Sequence, residues 1–383
     1  MKIKVKIEYL LKHNTFIQST YKIVFNSLFR ILGLFVRIDK DLVLLSSYGG
    51  RKFNDSPKVL YDALKQEKPF LKFVWAFENP EKFFIDCEKV KIDTPRYFLT
   101  ALRAKYWITN VNIERGLHFK KKNTIYVNTW HGIPLKLVGN AVDGRNDFDF
   151  SNIDTFCCSG KHDRDIYIRD MQVNPKNILN CGMPRNDELY NVSTDRINEI
   201  KKKLKLPIDK KVILYAPTWR ESTDGGSNYE IKPPINIQKW KEVLSDNYIV
   251  IFRMHHFTTK LLGLKFDDFI LDGSSYSDIN ELMIISDILI SDYSATIFDY
   301  SILERPIISF AYDYDSYIKN RGFYMDIEKE LPNGLCRTED ELLSRIVSMD
   351  FEKESIKAKL FKDKYIEFGG KASEKIISFL LAR

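Results

Sequence analysis

Short apolar segments of strand length alternate with helical segments along this sequence, and that alternation most constrains its fold. The clearest copy runs from Asp287 to Asp313. There Ile288 to Ile290 is predicted as a strand and Ser291 to Ser294 as a polar turn. Ile297 to Leu303 is predicted as a helix, and Ile307 to Phe310 as the next strand. This order is the unit of a doubly wound parallel sheet, which binds ligands beyond the carboxyl ends of its strands. The helix start favours an anion such as phosphate, although its serines fit an ordinary helix cap as well.

The alternation occurs in two successive sets, which predict an α/β protein with two Rossmann-like domains facing a cleft. The first set begins with the strand at Asp41 to Tyr48, and the second with the strand that starts at Lys211. Pro207 and the basic residues around it indicate a linker. The predicted divisions are a basic amphipathic segment at 1–38, an N-terminal domain at 39–206, a C-terminal domain at 207–365 and a final helix at 366–383.

The first 38 residues combine many apolar side chains with regularly spaced basic ones. Lys22, Asn26 and Arg30 fall four residues apart, which places one polar stripe on an otherwise apolar helix. Such a helix binds an anionic membrane surface through apolar burial and charge attraction. A helix that packs on the protein's own core, or on a partner, is the alternative. We predict no signal peptide, and no membrane span because no run of about 18 uncharged apolar residues exists.

Charge and cysteine content narrow the classes of partner and compartment. The net charge is +7, and the charged residues are spread along the chain rather than grouped in blocks. This balance suits a phosphate-bearing ligand or an anionic membrane surface better than nucleic acid. The five cysteines include no CxxC pair, which predicts a reducing, cytosolic setting without a structural zinc.

Three polar segments follow predicted strands, and the first of them carries a histidine. It runs from Thr129 to Lys136, with Gly132 and Pro134 fixing a turn. His131 would stand at the carboxyl end of a strand, where it can act as a general base near neutral pH. Lys136 can offset phosphate charge. A histidine that is merely hydrogen-bonded within a loop is the alternative.

The second and third segments carry groups suited to phosphate. Arg253 can bind a phosphate through two N–H groups, and His255 lies on the same face if the strand continues. His255 and its neighbour His256 lack nearby carboxylates, so no metal is predicted there. In the third segment, Ser294 and Thr296 can hold a pyrophosphate. The triplet at 313–315 has the form of an Asp-x-Asp metal motif, but such triplets arise easily by chance.

Several motifs together resemble the CDP-glycerol glycerophosphotransferases of teichoic acid and capsule synthesis. They are SSYGGRKFNDSP, TWHGIPLK, GMPRND, YAPTWR, RMHH and SDYSATIFDYSILERPIISFAYD, in this order between roughly residues 40 and 370. The resemblance implies a GT-B-like fold whose first domain faces a lipid-linked acceptor and whose second domain holds the donor. It also implies a peripheral enzyme on the cytoplasmic face of the cell membrane, in agreement with the basic amphipathic start.

The resemblance also implies roles for individual residues. His131 is the expected base, and Arg253 and His255 are the other residues expected to act in catalysis. The residues expected to bind substrate are Gly132, Lys136, Arg185, Thr218, Arg220, Ser291, Asp292, Ser294, Thr296 and Asp299. The family often has a second serine where Ala295 stands and a proline where His256 stands, and its late glycine–proline turn is present only as Pro332-Asn333-Gly334. These departures leave the donor open.

The expected reaction transfers glycerol phosphate, or a related alditol phosphate, from CDP-glycerol or CDP-ribitol to a hydroxyl of an undecaprenyl-linked saccharide, with release of CMP. His131 would take the hydroxyl's proton, and the other polar groups would stabilise the pyrophosphate. No cofactor is obligatory in this scheme, although Mg²⁺ on the pyrophosphate is compatible with it. A GT-B glycosyltransferase that uses a nucleotide sugar is the alternative enzyme, and a membrane-surface scaffold is the non-enzymatic alternative.

Overall fold

The computed structural model describes residues 15–218, 220, 233–254 and 265–382, and the structural statements below concern these residues. They form an α/β fold with two parallel sheets. His255 and His256, which the sequence places beside Arg253, lie outside the described residues, as do residues 1–14.

The first sheet has seven strands, all paired in parallel. They are β1 (Asp39–Ser46), β2 (Lys72–Phe77), β3 (Glu88–Lys91), β4 (Ala104–Thr109), β5 (Ile125–Asn128), β6 (Thr155–Cys158) and β7 (Ile178–Asn180). Their order in the sheet is β3-β2-β1-β4-β5-β6-β7. The helices of this part of the chain are α1 (Thr15–Phe35), α2 (Asp55–Glu67), α3 (Pro95–Arg103), α4 (Lys161–Met171) and α5 (Thr194–Lys203).

The second sheet has six strands, also parallel. They are β8 (Lys211–Tyr215), β9 (Tyr248–Phe252), β10 (Ile270–Asp272), β11 (Ile288–Ser291), β12 (Ile307–Phe310) and β13 (Leu335–Cys336), in the order β10-β9-β8-β11-β12-β13. The helices that follow are α6 (Ile237–Leu244), α7 (Ile279–Ile285), α8 (Thr296–Ser301), α9 (Tyr314–Asn320), α10 (Ile327–Glu330), α11 (Glu339–Val347), α12 (Phe351–Tyr365) and α13 (Ala372–Leu381).

Both faces of the first sheet are covered, which explains why its interior strand β1 is apolar on both sides. Leu42 and Leu44 belong to one core, whereas Val43 and Leu45 belong to the core on the opposite face. Successive side chains of a strand point to opposite faces, so a strand covered on both sides reads as a continuous apolar run. The last helix, α13, returns from the end of the chain and buries Ile376 against the first sheet.

The predicted strand, turn, helix and strand between Asp287 and Asp313 are confirmed as β11, α8 and β12. Two strands were missed. β3 has the sequence EKVK and lies at an edge of the first sheet, where charged residues remain in solvent and no apolar alternation develops. β13 has only two residues, which is too short for any periodic signal.

The first described helix, α1, presents its polar residue Asn26 to the protein and most of its apolar side chains to solvent. The Asn26 side-chain oxygen accepts a hydrogen bond from the backbone N–H of His118. Phe29 is buried, with its ring centroid 4.6 Å from that of Phe98. Leu34 and Phe35 are 82% and 81% exposed. Within the described ranges, no helix is long and apolar enough to cross a membrane.

Candidate active site

A cavity of about 540 Å³ opens between the two sheets at the carboxyl ends of their strands. Each of its walls is formed by loops that follow strands of one sheet. Lining residues from the first half of the chain include Tyr48, Lys52, Asn54, Asp55, Lys58, His131 and Arg185. Those from the second half include Arg253, Asp278, Asn280, Ser294, Ala295, Thr296 and Asp299. The cavity therefore joins residues from five of the six sequence motifs, which are far apart along the chain.

His131 is held in this cavity by an unusual backbone path after β5. Trp130 has a φ of 51° and Gly132 a φ of 153°, both in the region that side chains disfavour. A Cβ atom at Gly132 would lie 2.9 Å from the Cβ of Ala295 in the second half of the chain. Glycine at 132 therefore permits both the turn and the close approach of the loop to the residues before α8.

The tautomer of His131 follows from its hydrogen bond. Its Nδ1 lies 2.8 Å from the backbone oxygen of Asn110, and a carbonyl oxygen only accepts, so Nδ1 carries the hydrogen. Nε2 is then left as the basic nitrogen. Burial lowers the pKa of His131, and this effect outweighs the Asn110 bond and Asp55, which both raise it. A neutral imidazole with a free Nε2 can accept a proton at neutral pH.

A second cavity of about 770 Å³ lies on the other side of His131, which together with Tyr48 lines both cavities. Its wall combines basic and apolar side chains. They are Arg51, Arg115, Arg145, Arg321, Val111, Trp130, Leu137, Val138, Val142, Phe148 and Phe150. His131 thus stands between two separate spaces, which is the position required of a base that accepts a proton from one substrate as it attacks another.

Arg185 links the two halves of the chain and contacts the backbone of His131. Its Nη1 lies 2.6 Å from Asp55 and 2.9 Å from the backbone oxygen of His131, and its Nη2 lies 2.7 Å from Asp299. Its side chain is only 9% exposed. Asp55 begins α2 and Asp299 lies in α8, so this one guanidinium joins both sides of the cavity to the main chain of His131.

The two carboxylates bound to Arg185 have pKa values shifted in opposite directions. Burial raises the pKa of both. For Asp55, Arg185 together with the Tyr48 hydroxyl at 2.7 Å outweighs burial, and its pKa is lowered. For Asp299, burial prevails and the negative charge of Asp55 adds to it, so its pKa is raised. One guanidinium cannot fully offset two buried carboxylates, and Asp55 has the stronger set of donors.

Arg253, Ser294 and Thr296 face the cavity from the second half. The Arg253 Nη1 donates to the backbone oxygens of Gly273 and Tyr276, at 2.8 and 2.7 Å, which fixes the side chain. The Ser294 hydroxyl oxygen accepts from the backbone N–H of Thr296 and donates to its hydroxyl. The serine therefore does cap the start of α8, while both hydroxyl groups line the cavity.

Four predicted substrate-binding residues lie together outside the lining of this cavity. Arg220 binds Asp292 at 2.8 Å and Asp313 at 2.7 Å. Asp292 also accepts from the backbone N–H of Thr218, and the Ser291 hydroxyl donates to the backbone oxygen of Ala216. These hydrogen bonds and ion pairs connect the loops that follow β8, β11 and β12.

Lys136 also lies away from the cavity. Its Nζ is 3.3 Å from the hydroxyl of Tyr317, and its backbone pairs with Phe323 in an antiparallel bridge. The loop after His131 is thereby attached to the second half of the chain. The predicted metal-like triplet is divided as well, because Asp313 binds Arg220 whereas Asp315 binds Arg337. In the described ranges, no group of three His, Cys, Asp or Glu side chains could hold a metal.

Sequence reasoning missed four residues of the site, namely Tyr48, Lys52, Asp55 and Asn110. The first three belong to SSYGGRKFNDSP, a motif for which the sequence pattern gives no chemical role. Its position directly after a predicted strand is the signal that the sequence offers, because parallel sheets bind ligands at the carboxyl ends of their strands. Asn110 acts through its backbone oxygen, and its side-chain oxygen accepts from the N–H of Tyr48 at 2.8 Å. No residue type is required for a backbone contact, so no pattern predicts it.

Comparisons with known proteins agree on one family. The profile of the CDP-Glycerol:Poly(glycerophosphate) glycerophosphotransferase family matches residues 28–382. The teichoic acid glycerol-phosphate transferase of Staphylococcus aureus is 33% identical over 380 residues, which cover 93% of this chain and 97% of that protein. The teichoic acid poly(glycerol phosphate) polymerase of Staphylococcus epidermidis is 34% identical over 359 residues, covering 87% of this chain but 49% of its own length. The chain thus spans about half of that longer relative.

Ribitol-phosphate enzymes and solved structures are also similar to the chain. The teichoic acid ribitol-phosphate primase of Bacillus spizizenii is 28% identical over 392 residues, covering 96% of this chain and 97% of that protein. A structure of the wall teichoic acid polymerase TagF superimposes with a TM-score of 0.84 at 32% identity, covering 97% of this chain and 98% of that one. A structure of a TagF variant soaked with CDPG has a TM-score of 0.81 at 30% identity, covering 97% and 98% of the two chains.

Proposed function

The chain belongs to the CDP-glycerol:poly(glycerophosphate) glycerophosphotransferase family and is an enzyme of the transferase class, and we propose that it transfers an alditol phosphate in teichoic acid synthesis. The donor is CDP-glycerol, or CDP-ribitol as in the ribitol-phosphate relatives. The acceptor is a hydroxyl group of an undecaprenyl-linked saccharide, and CMP is released. The observation that carries the proposal is the position of His131 between two cavities, with Nε2 free to accept a proton.

We assign the donor to the cavity of about 540 Å³ between the sheets and the acceptor to the cavity of about 770 Å³. This division corresponds to a GT-B-like arrangement with an acceptor domain at 39–206 and a donor domain at 207–365. Two contacts cross the proposed boundaries. Ile200 of α5 packs in the core of the second sheet, and Ile376 of α13 packs on the first.

The proposed reaction is a single displacement at phosphorus. The acceptor oxygen attacks the phosphorus that carries the alditol, and His131 Nε2 takes the proton of the attacking hydroxyl. A new oxygen–phosphorus bond forms while the bond from that phosphorus to the bridging oxygen breaks. CMP leaves with the electron pair. Phosphoryl transfer requires chiefly alignment and stabilisation of charge, which fixed side chains supply without a covalent intermediate.

The negative charge of the donor's diphosphate is stabilised by Arg253, Ser294 and Thr296, which line the donor cavity. The Arg253 side chain is already fixed by two backbone oxygens, so little ordering is needed when a phosphate binds. His255 is proposed as a further donor to the pyrophosphate, on the strength of its place beside Arg253 in the family's arginine–histidine pair.

We also propose that the enzyme is peripheral on the cytoplasmic face of the membrane. The support is the outward apolar face of α1, which carries Ile23, Leu28, Ile31, Leu34 and Phe35. A helix of this kind gains free energy when those side chains enter the interfacial region of an anionic bilayer. Asn26 of the same helix bonds to His118, near Arg115 in the wall of the proposed acceptor cavity. A lipid-linked acceptor would then enter beside α1.

The test is CMP release from CDP-glycerol and from CDP-ribitol in the presence of a lipid-linked acceptor. Wild-type protein should release CMP with one donor, and His131→Ala should lower that rate about 100-fold or more. His118→Ala is the matched control, because His118 is half-buried in the same part of the chain but lines neither cavity. Consumption of a nucleotide sugar instead would identify a glycosyltransferase. CMP release that survives His131→Ala would contradict the assignment of the base.

A further inference from the structure

We propose that Lys52 is a catalytic residue that binds the distal phosphate of the donor's diphosphate from the first half of the chain, opposite Arg253 on the second. The proposal rests on the proposed function and specifies how the donor cavity holds its ligand. It assigns a chemical role to the GGRKFNDSP turn, for which the strand and helix pattern alone gives no role.

Lys52 is placed close to the proposed base. Its Nζ lies 5.1 Å from the centroid of the Tyr48 ring, and that ring lies 5.6 Å from the imidazole of His131. One aromatic ring therefore separates the ammonium group from the histidine. The neighbouring residue, Arg51, lines the other cavity, so this turn places one cation in the wall of each of the two cavities that His131 lines.

The charges of the donor cavity single out Lys52 and Arg253. Four lysine and arginine side chains line it, and two of them are neutralised: Lys58 by Asp62, and Arg185 by two aspartates. Lys52 and Arg253 have no ion pair with a carboxylate within the described residues, although Asp55 and Asp278 of the lining act on them at longer range. Two cations without a direct counterion thus face one cavity from the two halves of the chain.

The electrostatic environment supports an anion between these two groups. Burial lowers the pKa of Lys52, and the positive charge of Arg253 lowers it further, while Asp55 acts in the opposite direction. Burial also lowers the pKa of Arg253, opposed by Asp278 and Tyr48. Asp55 is engaged by Arg185 and does not neutralise Lys52. A diphosphate placed between Lys52 and Arg253 would offset their repulsion and raise both pKa values.

A lysine suits the distal phosphate because its ammonium group is a compact charge on a flexible stem. As the acceptor oxygen approaches phosphorus, negative charge spreads over the phosphoryl oxygens and onto the departing CMP oxygen. The flexible Lys52 side chain can stay in contact with these oxygens as their charge increases, while Arg253 remains fixed by its backbone partners. Binding between residues of opposite walls also draws the two halves of the chain together around the donor.

The kinetic test compares Lys52→Ala, Lys52→Arg and the control Lys65→Ala. Lys65 lies on α2 and does not line the donor cavity. Lys52→Ala should lower kcat/KM for CDP-glycerol about 100-fold, through a higher KM and a lower kcat together, while the acid limb of the pH profile stays in place. Lys52→Arg should recover about tenfold of this loss. The proposal is wrong if kcat/KM of Lys52→Ala stays within about threefold of wild type. It is also wrong if Lys52→Ala moves the acid limb of the pH profile, because that result would mean that Lys52 acts only by positioning His131.

Calorimetry with CDP and with CMP separates this proposal from the proposed function. Lys52→Ala should weaken CDP binding about tenfold or more and leave CMP binding within about twofold, because only CDP carries the distal phosphate. Equal effects on the two nucleotides, or none, would overturn the role of Lys52. This selective loss would support the diphosphate site even if wild type released no CMP from either donor, in which case only the proposed reaction would fail.

Discussion

Arg185 and Arg220 have side chains that are 9% and 11% exposed, and each binds two aspartates, but they connect different parts of the molecule. Arg220 binds Asp292 and Asp313, which follow neighbouring strands of the second sheet. Its guanidinium carbon lies 5.0 Å from the Tyr293 ring centroid. All of these groups lie in loops that follow strands of the second sheet. The ends of those strands already fix the positions of the groups.

Arg185 makes the same kind of contact across the cavity. Its two aspartates, Asp55 and Asp299, come from opposite halves of the chain, and its guanidinium also binds the backbone oxygen of His131. An ion cluster within one sheet thus stabilises that sheet, whereas a similar cluster between two sheets also fixes the loop that carries His131.

The largest expected effect is on stability at Arg220. Arg220→Gln leaves two buried carboxylates without their cation, which should lower the free energy of unfolding by about 3–5 kcal/mol. Urea unfolding monitored by tryptophan fluorescence measures this change. The fraction that remains folded should keep kcat within about threefold of wild type, because Arg220 lies outside the lining of both cavities. A folded but inactive variant would show that the cluster does more than stabilise the second sheet.

At Arg185 the expected effect is on catalysis as well as stability. Arg185→Gln removes the donor to the His131 backbone and lets the two aspartates repel, so the imidazole should shift and kcat/KM should fall about 100-fold. Arg185→Lys should not restore activity, because one ammonium group cannot reproduce three contacts fixed by a planar fork. Rates are measured as CMP release by folded protein. Full activity in Arg185→Lys would show that Arg185 acts only as a counterion for the two aspartates.

The pH profile provides a smaller and more specific effect. Burial holds the pKa of His131 below the ordinary value of 6.5, so the acid limb of kcat/KM in wild type should lie below pH 6.5. Arg185 lowers this pKa and Asp55 raises it. In Arg185→Gln the lowering charge is gone and the aspartate remains, so the acid limb should move to higher pH. Arg220→Gln should leave it unchanged, which makes that variant the control.

The smallest expected effect separates the two partners of Arg185. The lowered pKa of Asp55 means that its ionised form contributes stability above its unfolded pKa, which is lost as pH falls through the folded value. The pKa of Asp299 is raised, so its ionisation opposes folding as pH rises. Asp55→Asn should therefore destabilise the protein at pH 7 more than Asp299→Asn does. Melting temperatures at pH 7 and pH 4 test this, and a larger loss for Asp299→Asn would reverse the assignment.

Much of the fold was predictable from the sequence because the signals are local. The apolar run at 288–290, the polar turn after it and the helix before Pro306 each reflect contacts within a few residues, and all three are present in the structure. The turn after His131 was predictable for the same reason, because Gly132 follows the histidine directly and has a φ of 153°.

Local sequence patterns are therefore enough to predict an α/β chain with two parallel sheets and polar loops at the ends of their strands. Which of those polar residues meet depends on how the two sheets pack. Arg185 joins Asp55 and Asp299, which lie 130 and 114 positions away, while Arg220, Ser291 and Asp292 satisfy one another outside the cavity. The physical reason is that a charge takes the partner that the packing of two sheets brings within about 3 Å, and spacing along the chain does not encode that distance.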